Sequence, residues 1–219
     1  MKYGQLAGNR RINDTIYRCF EHLREEDVRK FVQKFRKQPH DQNQVLHTFR
    51  ELLVGAFLAS NGFNVRYDHE IDGKTPDWSI LNDALEALCI IEVTNFHIDK
   101  VTEDAMKQKV EFGDTWCGFV QPNNDRLYQR LQEKNDKYEK LAKKHNISYV
   151  VAVFGDFMAD LEPEELQECL FKDHTGGLFK QCPTLSGVLS FEESLGQYIF
   201  KYIQNPKPDK PICFPSRVF

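Results

Sequence analysis

Two carboxylates separated by 14 residues mark the stretch TPDWSILNDALEALCIIEVTN, Thr75 to Asn95: Asp77 near its start and Glu92 near its end. Each lies in a run of Trp, Ile, Leu and Val, so the stretch predicts two short β-strands joined by a polar turn. Alternation puts Asp77 and Ser79 on one face of the first strand, and Ile90, Glu92 and Thr94 on one face of the second. A turn centred on Ala84-Leu85 sets Asp77 directly opposite Glu92, with Cβ atoms about 4.5–5.5 Å apart. A slip by two residues would keep the faces and lose the pair. Carboxylates that close need a cation, a shared proton or bulk water between them. Mg²⁺ suits them, since it takes one or two carboxylates and retains several waters, and the backbone carbonyl of Val93 would add a third oxygen. The plain alternative is two strand residues on a solvent face.

A periodic helix bears on that choice. In DRLYQRLQEKNDKYEKLAKKH, Leu127, Leu131, Lys134, Tyr138 and Leu141 recur on a single face. A lysine thus sits in the middle of the stripe that should meet the sheet, with Lys137 at its edge. A core-facing ammonium is costly unless it meets carboxylates or a wet site; the alternative is a stem that snorkels to solvent. Lys140, Lys143 and Lys144 fall outside the stripe and read as a solvated face.

These elements belong to a chain of 219 residues, 41% hydrophobic and 28% charged, with a net charge of −4. That is one domain with a real core, and not a broadly basic nucleic-acid binder. The six cysteines show no CxxC and no zinc spacing, which predicts a reducing compartment. The segment MKYGQLAGNRR has no apolar h-region, and no apolar run approaches the roughly 18–20 residues of a spanning helix. A cytoplasmic protein without a membrane partner is expected. Two helices are predicted over 14–37, making residues 1–40 an N-terminal helical extension to a domain over 41–219. A buried helix follows and ends at Asn61-Gly62. Strands are predicted at 64–71, 77–81, 88–94, 148–155 and 185–191, helices at 125–145 and 162–171, a long loop over 96–123 with a short helix near 102–110, and a Pro-rich tail. The run SYVVAVFG reads as a strand buried on both faces. The order predicts an α/β architecture, a mixed sheet with helices on both faces.

Pro76-Asp77, then Glu92-Val93-Thr94 after an apolar strand, resembles the motif of the PD-(D/E)XK nuclease superfamily. The resemblance covers residues 45–155 well and the tail loosely. It implies a restriction-endonuclease-like fold with an αβββαβ core, in which Asp77 and Glu92 are metal ligands and Glu51, on the preceding helix, is an additional acidic residue. The family's lysine is expected two residues past the glutamate, where this chain has Thr94. The resemblance therefore moves that charge to the following helix, to Lys134 first and Lys137 second. Lys134 and Tyr138 are also similar to the Gln-and-Tyr helix motif of some family branches.

The implied activity is hydrolysis of phosphodiester bonds, most simply in DNA, with Mg²⁺ or Mn²⁺ held by Asp77, Glu92, Val93 and Glu51. The implied partner is nucleic acid, and a homodimer is the arrangement many such nucleases use to cut both strands. The alternative is a nuclease-like fold that has lost activity and serves as a binding or regulatory module, a reading favoured by Thr94 and the acidic net charge. Other chemistries find no support: there is no HExxH, no phosphate-cradling glycine loop, and no base beside Ser79 or Cys89. His69 and His97 lie beside the predicted strands, and Trp116 and Phe119 in the predicted loop read as packing residues.

Overall fold

A computed structural model of the chain describes residues 9–37, 42–96, 124–155, 163–172, 177–215 and 217–219, with Gln108 and Leu161 between them. The predicted short helix near 102–110, His97, Trp116 and Phe119 lie outside the described residues, Gln108 excepted. The apolar runs become strands β1 (Val65–Tyr67), β2 (Trp78–Leu81), β3 (Ala87–Phe96), β4 (Ser148–Gly155), β5 (Leu185–Ser194) and β6 (Gln197–Gln204). A two-residue β7 (Arg217–Val218) closes one edge. The strands form one sheet in chain order: antiparallel from β1 to β3, parallel from β3 to β5, antiparallel from β5 to β7.

Helices cover both faces, as an α/β chain with parallel central strands requires. On one face lie α1 (Arg10–His22), α2 (Glu25–Lys37) and α3 (Gln42–Ser60); on the other lie α4 (Asn124–His145), α5 (Pro163–Phe171) and α6 (Leu178–Gln181). The period-2 pattern divides each strand between two cores. Val150, Ala152 and Phe154 of β4 pack with the α1–α3 layer, while Tyr149, Val151 and Val153 pack with the α4–α6 layer. Phe31 and Phe35 of α2 and Cys19 of α1 sit in the same core as Trp78 and Val93. The N-terminal helices thus share a core with the sheet.

Helix α6 forms where no element is predicted, α1 starts four residues early, and two further segments depart more from the sequence expectation. The strand expected over 64–71 stops at Tyr67 because Asp68 takes a left-handed backbone, φ 48°. A tight turn follows, with Asp72 and Gly73 at φ 50° and 73° and Ile71 bridged to Lys74. The expected tail begins instead with β6. β5 runs on to Ser194 and reverses through Leu195-Gly196 (φ 49° and 85°), the two positive angles a two-residue hairpin needs. Phe200 of β6 then stacks on Phe57 of α3 and Phe191 of β5, at ring-centroid distances of 4.0 and 5.0 Å. Among the described residues no helix is long and apolar enough to cross a membrane. Cys19, Cys89, Cys169 and Cys182 are buried free thiols.

Candidate active site

The hairpin fixes the first carboxylate. Trp78 pairs with Ile91, Ser79 with Ile90 and Ile80 with Cys89; carried one residue further, that register opposes Asp77 to Glu92. The Asp77 carbonyl accepts from Asp68 N (3.2 Å), and its Oδ2 accepts from Val93 N at 2.7 Å. A strand residue directs its N–H and C=O to the same side, so the Val93 carbonyl lies on the Asp77 edge of β3. Glu92 is 1% exposed, an uncommon state for an ionised carboxylate without partners.

Its partners come from α4. Lys134 Nζ lies 2.9 Å from Glu92 Oε2, and Lys137 Nζ lies 3.3 and 3.4 Å from the two oxygens. The helix is seated by its apolar stripe, Leu127, Leu131, Tyr138 and Leu141, all buried. Tyr149 Oη donates to the Lys134 carbonyl (2.8 Å), Tyr138 Oη to the Thr75 carbonyl (3.1 Å), and Lys74 Nζ to the Lys137 carbonyl. The expected core-facing lysine therefore meets a carboxylate, and its side chain is 22% exposed. Lys143 and Lys144 are exposed, and Thr94, which cannot carry charge, is buried.

Glu51 stands on the other side of Asp77, buried on α3. Its Oε2 receives Lys34 Nζ and Tyr67 Oη, each at 2.6 Å, and its Oε1 lies 3.1 Å from His47 Nε2. Its backbone carbonyl accepts the Trp78 indole N–H at 2.7 Å. Burial raises the Glu51 pKa, but His47, Lys34 and Tyr67 together hold it below the ordinary carboxylate range. Asp77 goes the other way: burial first, then the charges of Glu92 and Glu51, push it up to about 7, against the Val93 amide and Lys134. Asp77 is thus the carboxylate most in need of a compensating cation.

The structure brings Asp77, Glu92, Lys134, Lys137 and the Val93 backbone together, and sets Glu51 beside them within its own partner shell. Among the described residues no three His, Cys, Asp or Glu side chains are grouped to hold a metal. A cation here would rest on the two hairpin carboxylates, completed by the Val93 carbonyl and water. That all-oxygen set fits Mg²⁺ or Mn²⁺ in chemistry. Sequence reasoning missed Lys34, His47 and Tyr67. A signal existed: His47 precedes Glu51 by four residues on one helix face, and Asp27, Lys30 and Lys34 form a polar line at i, i+3 and i+7 beside the apolar stripe of α2.

The Asp77 shift gives a signed prediction. Its folded-state pKa lies above the unfolded value near 3.9, so its contribution to stability is fully present below about pH 4 and is lost as the pH rises through about 7. Asp77→Asn keeps an acceptor for Val93 N and removes the titration. In metal-free buffer the variant is expected to match wild type near pH 4 and exceed it at pH 8 by about 2–4 kcal/mol. Urea melts at both pH values check this; an equal difference at the two would sink it.

Comparison with protein-family models, curated proteins and solved structures found no match.

Proposed function

We propose that this protein is a divalent-metal-dependent nuclease that hydrolyses phosphodiester bonds, with DNA as the first substrate to test. The observation that carries the reading is the ammonium of Lys134, 2.9 Å from the buried Glu92 and facing the hairpin that bears Asp77. Metal-assisted phosphodiester hydrolysis uses hard-cation ligands with a positive group beside them, and Asp77, Glu92 and Lys134 are groups of those kinds. Asp77, Glu92 and the Val93 carbonyl would hold Mg²⁺, which when bound polarises a phosphate and lowers the pKa of a coordinated water. Lys134, with Lys137 behind it, offsets the negative charge that develops on the phosphate oxygens. Glu51, kept ionised by its partners, adds negative charge that favours a cation at Asp77. The two walls of buried apolar side chains hold these groups in place.

A second reading has its own support. Both oxygens of Glu92 are taken by lysines and both of Glu51 by Lys34, Tyr67 and His47, so the cluster neutralises itself without a metal. In that reading the fold binds nucleic acid or a regulatory partner and does no chemistry.

The deciding experiment is cleavage of linear, circular and single-stranded DNA with Mg²⁺ or Mn²⁺, comparing wild type with Asp77→Ala, Glu92→Ala and Lys134→Ala. Metal-dependent cutting is expected in wild type and should fall about 10²–10³-fold or more in each variant, at matched folding. Binding without cutting under every condition would favour the second reading. Cutting that survives Asp77→Ala would remove the hairpin from the mechanism.

A further inference from the structure

A substrate approaching the site meets lysines before it meets Glu51 or Glu92, while Asp77 between them is half-buried. The side chains of Glu51 and Glu92 are each 2% exposed, whereas those of Lys34, Lys137 and Lys134 are 30%, 51% and 22% exposed. The site is an anionic floor under a cationic rim, and the rim comes from two opposite walls. Lys134 and Lys137 come from α4, below one face of the sheet, and Lys34 comes from α2, above the other.

Lys34 is built in rather than loosely placed. Its helix is tied to β1 at three points along one line: Asp27 Oδ1 accepts from Tyr67 N (3.2 Å), Lys30 Nζ donates to the Tyr67 carbonyl (2.7 Å), and Lys34 Nζ donates to Tyr67 Oη (2.5 Å). Phe31 of the same helix packs on Tyr67 and Trp78 at 4.2 and 5.8 Å between centroids. An ammonium has three donors, and Lys34 spends two, on Glu51 and Tyr67. The remaining donor and the exposed part of the head belong to whatever enters the site.

We propose that Lys34 is a substrate-binding residue: its ammonium receives a backbone phosphate of the nucleic acid on the wall opposite Lys134 and Lys137. This rests on the nucleic-acid reading above and adds to it a path for the strand, which crosses the carboxylate floor from α2 to α4. The N-terminal helical pair is then a working part of the site. A lysine serves such a contact as a point charge, without the bidentate geometry an arginine would impose.

The test is fluorescence anisotropy of labelled single-stranded and duplex oligonucleotides in EDTA, over a salt series. Lys34→Gln keeps an amide donor for Glu51 and Tyr67 and loses the charge. It should weaken binding about fivefold near 0.1 M salt, and flatten the slope of log affinity against log salt by about 0.7–0.9. Lys34→Arg should retain the slope, and Lys143→Ala, on the outer face of α4, should change nothing. If Lys34 only neutralised Glu51, Lys34→Gln would keep the wild-type slope while Lys134→Ala flattened it. That result overturns the Lys34 assignment and leaves the nuclease reading standing. Wild type that binds neither oligonucleotide overturns both. Should Lys34→Gln fail to fold, Lys34→Met with Glu51→Gln is compared with Glu51→Gln alone and read in the same way.

Discussion

Replacing both Lys134 and Lys137 with methionine should destabilise the protein by about 3–5 kcal/mol, well beyond the sum of the two single changes. Methionine keeps the apolar stem of each lysine and removes the charge, so the loss isolates the stranded carboxylate. Either lysine alone leaves Glu92 one ammonium, at 2.9 or about 3.3 Å. Without both, a side chain 2% exposed keeps its charge beside Asp77 with the Tyr138 hydroxyl but no cation near it, or takes up a proton to shed it. Adding Glu92→Gln to the double variant should restore most of the loss, because the carboxylate that lost its ammonium partners is then no longer charged. Urea unfolding of the single, double and triple variants tests this with no assay of activity. A triple variant no more stable than the double would mean the loss came from packing on α4 and not from Glu92.

The second large effect lies in the scaffold. Gly55→Ala should cost more than about 3 kcal/mol, although alanine favours helix over glycine by about 1 kcal/mol. A Cβ at position 55 would stand 1.8 Å from Cζ2 of Trp78 and 2.3 Å from Cε2 and Cη2. The indole has nowhere to go. It is fully buried, flanked by Phe31 and by Tyr67, whose centroid lies 5.2 Å away, and tied through its N–H to the Glu51 carbonyl. The close approach of α3 to Trp78 is also what sets Glu51 beside Asp77, so relief by sliding the helix would open the site. Trp78→Phe removes the ring atoms in question, and the double variant should lose less than the two single losses together. Gly55→Ala that melts within 1 kcal/mol of wild type would show that the helix and ring are not in this contact.

The parts of this fold that were legible in the sequence are those written in strong periodicity. The helix EEDVRKFVQKFRK spans the predicted residues, and SYVVAVFG is buried along its length apart from its last residue. The pairing of Trp78 with Ile91 follows from a turn centred on Ala84-Leu85, and of the two fates open to the lysine on the apolar stripe of α4, a carboxylate partner or an escape to solvent, the structure has the first. What stayed hidden depended on contacts across long sequence separations. Nothing local to Lys34 announces that α2 lies over β1, since that packing is decided by Phe31 and Phe35 meeting Tyr67 and Trp78. β6 is hard to read because the apolar Ile199 falls on its exposed face and Tyr202 is only partly buried, which blurs the alternation, and the prolines that follow read as a tail. Its true signal was the pair Leu195-Gly196, a hairpin reversal in which a leucine accepts a positive φ.

Strand order that follows chain order has a consequence in time. A nascent chain that has emerged as far as Gly155 already holds Lys34, Glu51, Asp77, Glu92, Lys134 and Lys137, and each strand to that point adds to an edge its predecessors present. The carboxylate–lysine cluster can therefore assemble while the rest of the chain is still being made. What remains bare at that moment is the outer edge of β4, an apolar strand whose parallel partner β5 begins only at Leu185. Synthesis at roughly 5–20 residues per second leaves that edge open for seconds, long enough for a strand of another chain to pair there. Misassembly during production of this protein should thus start at β4, after its site has formed.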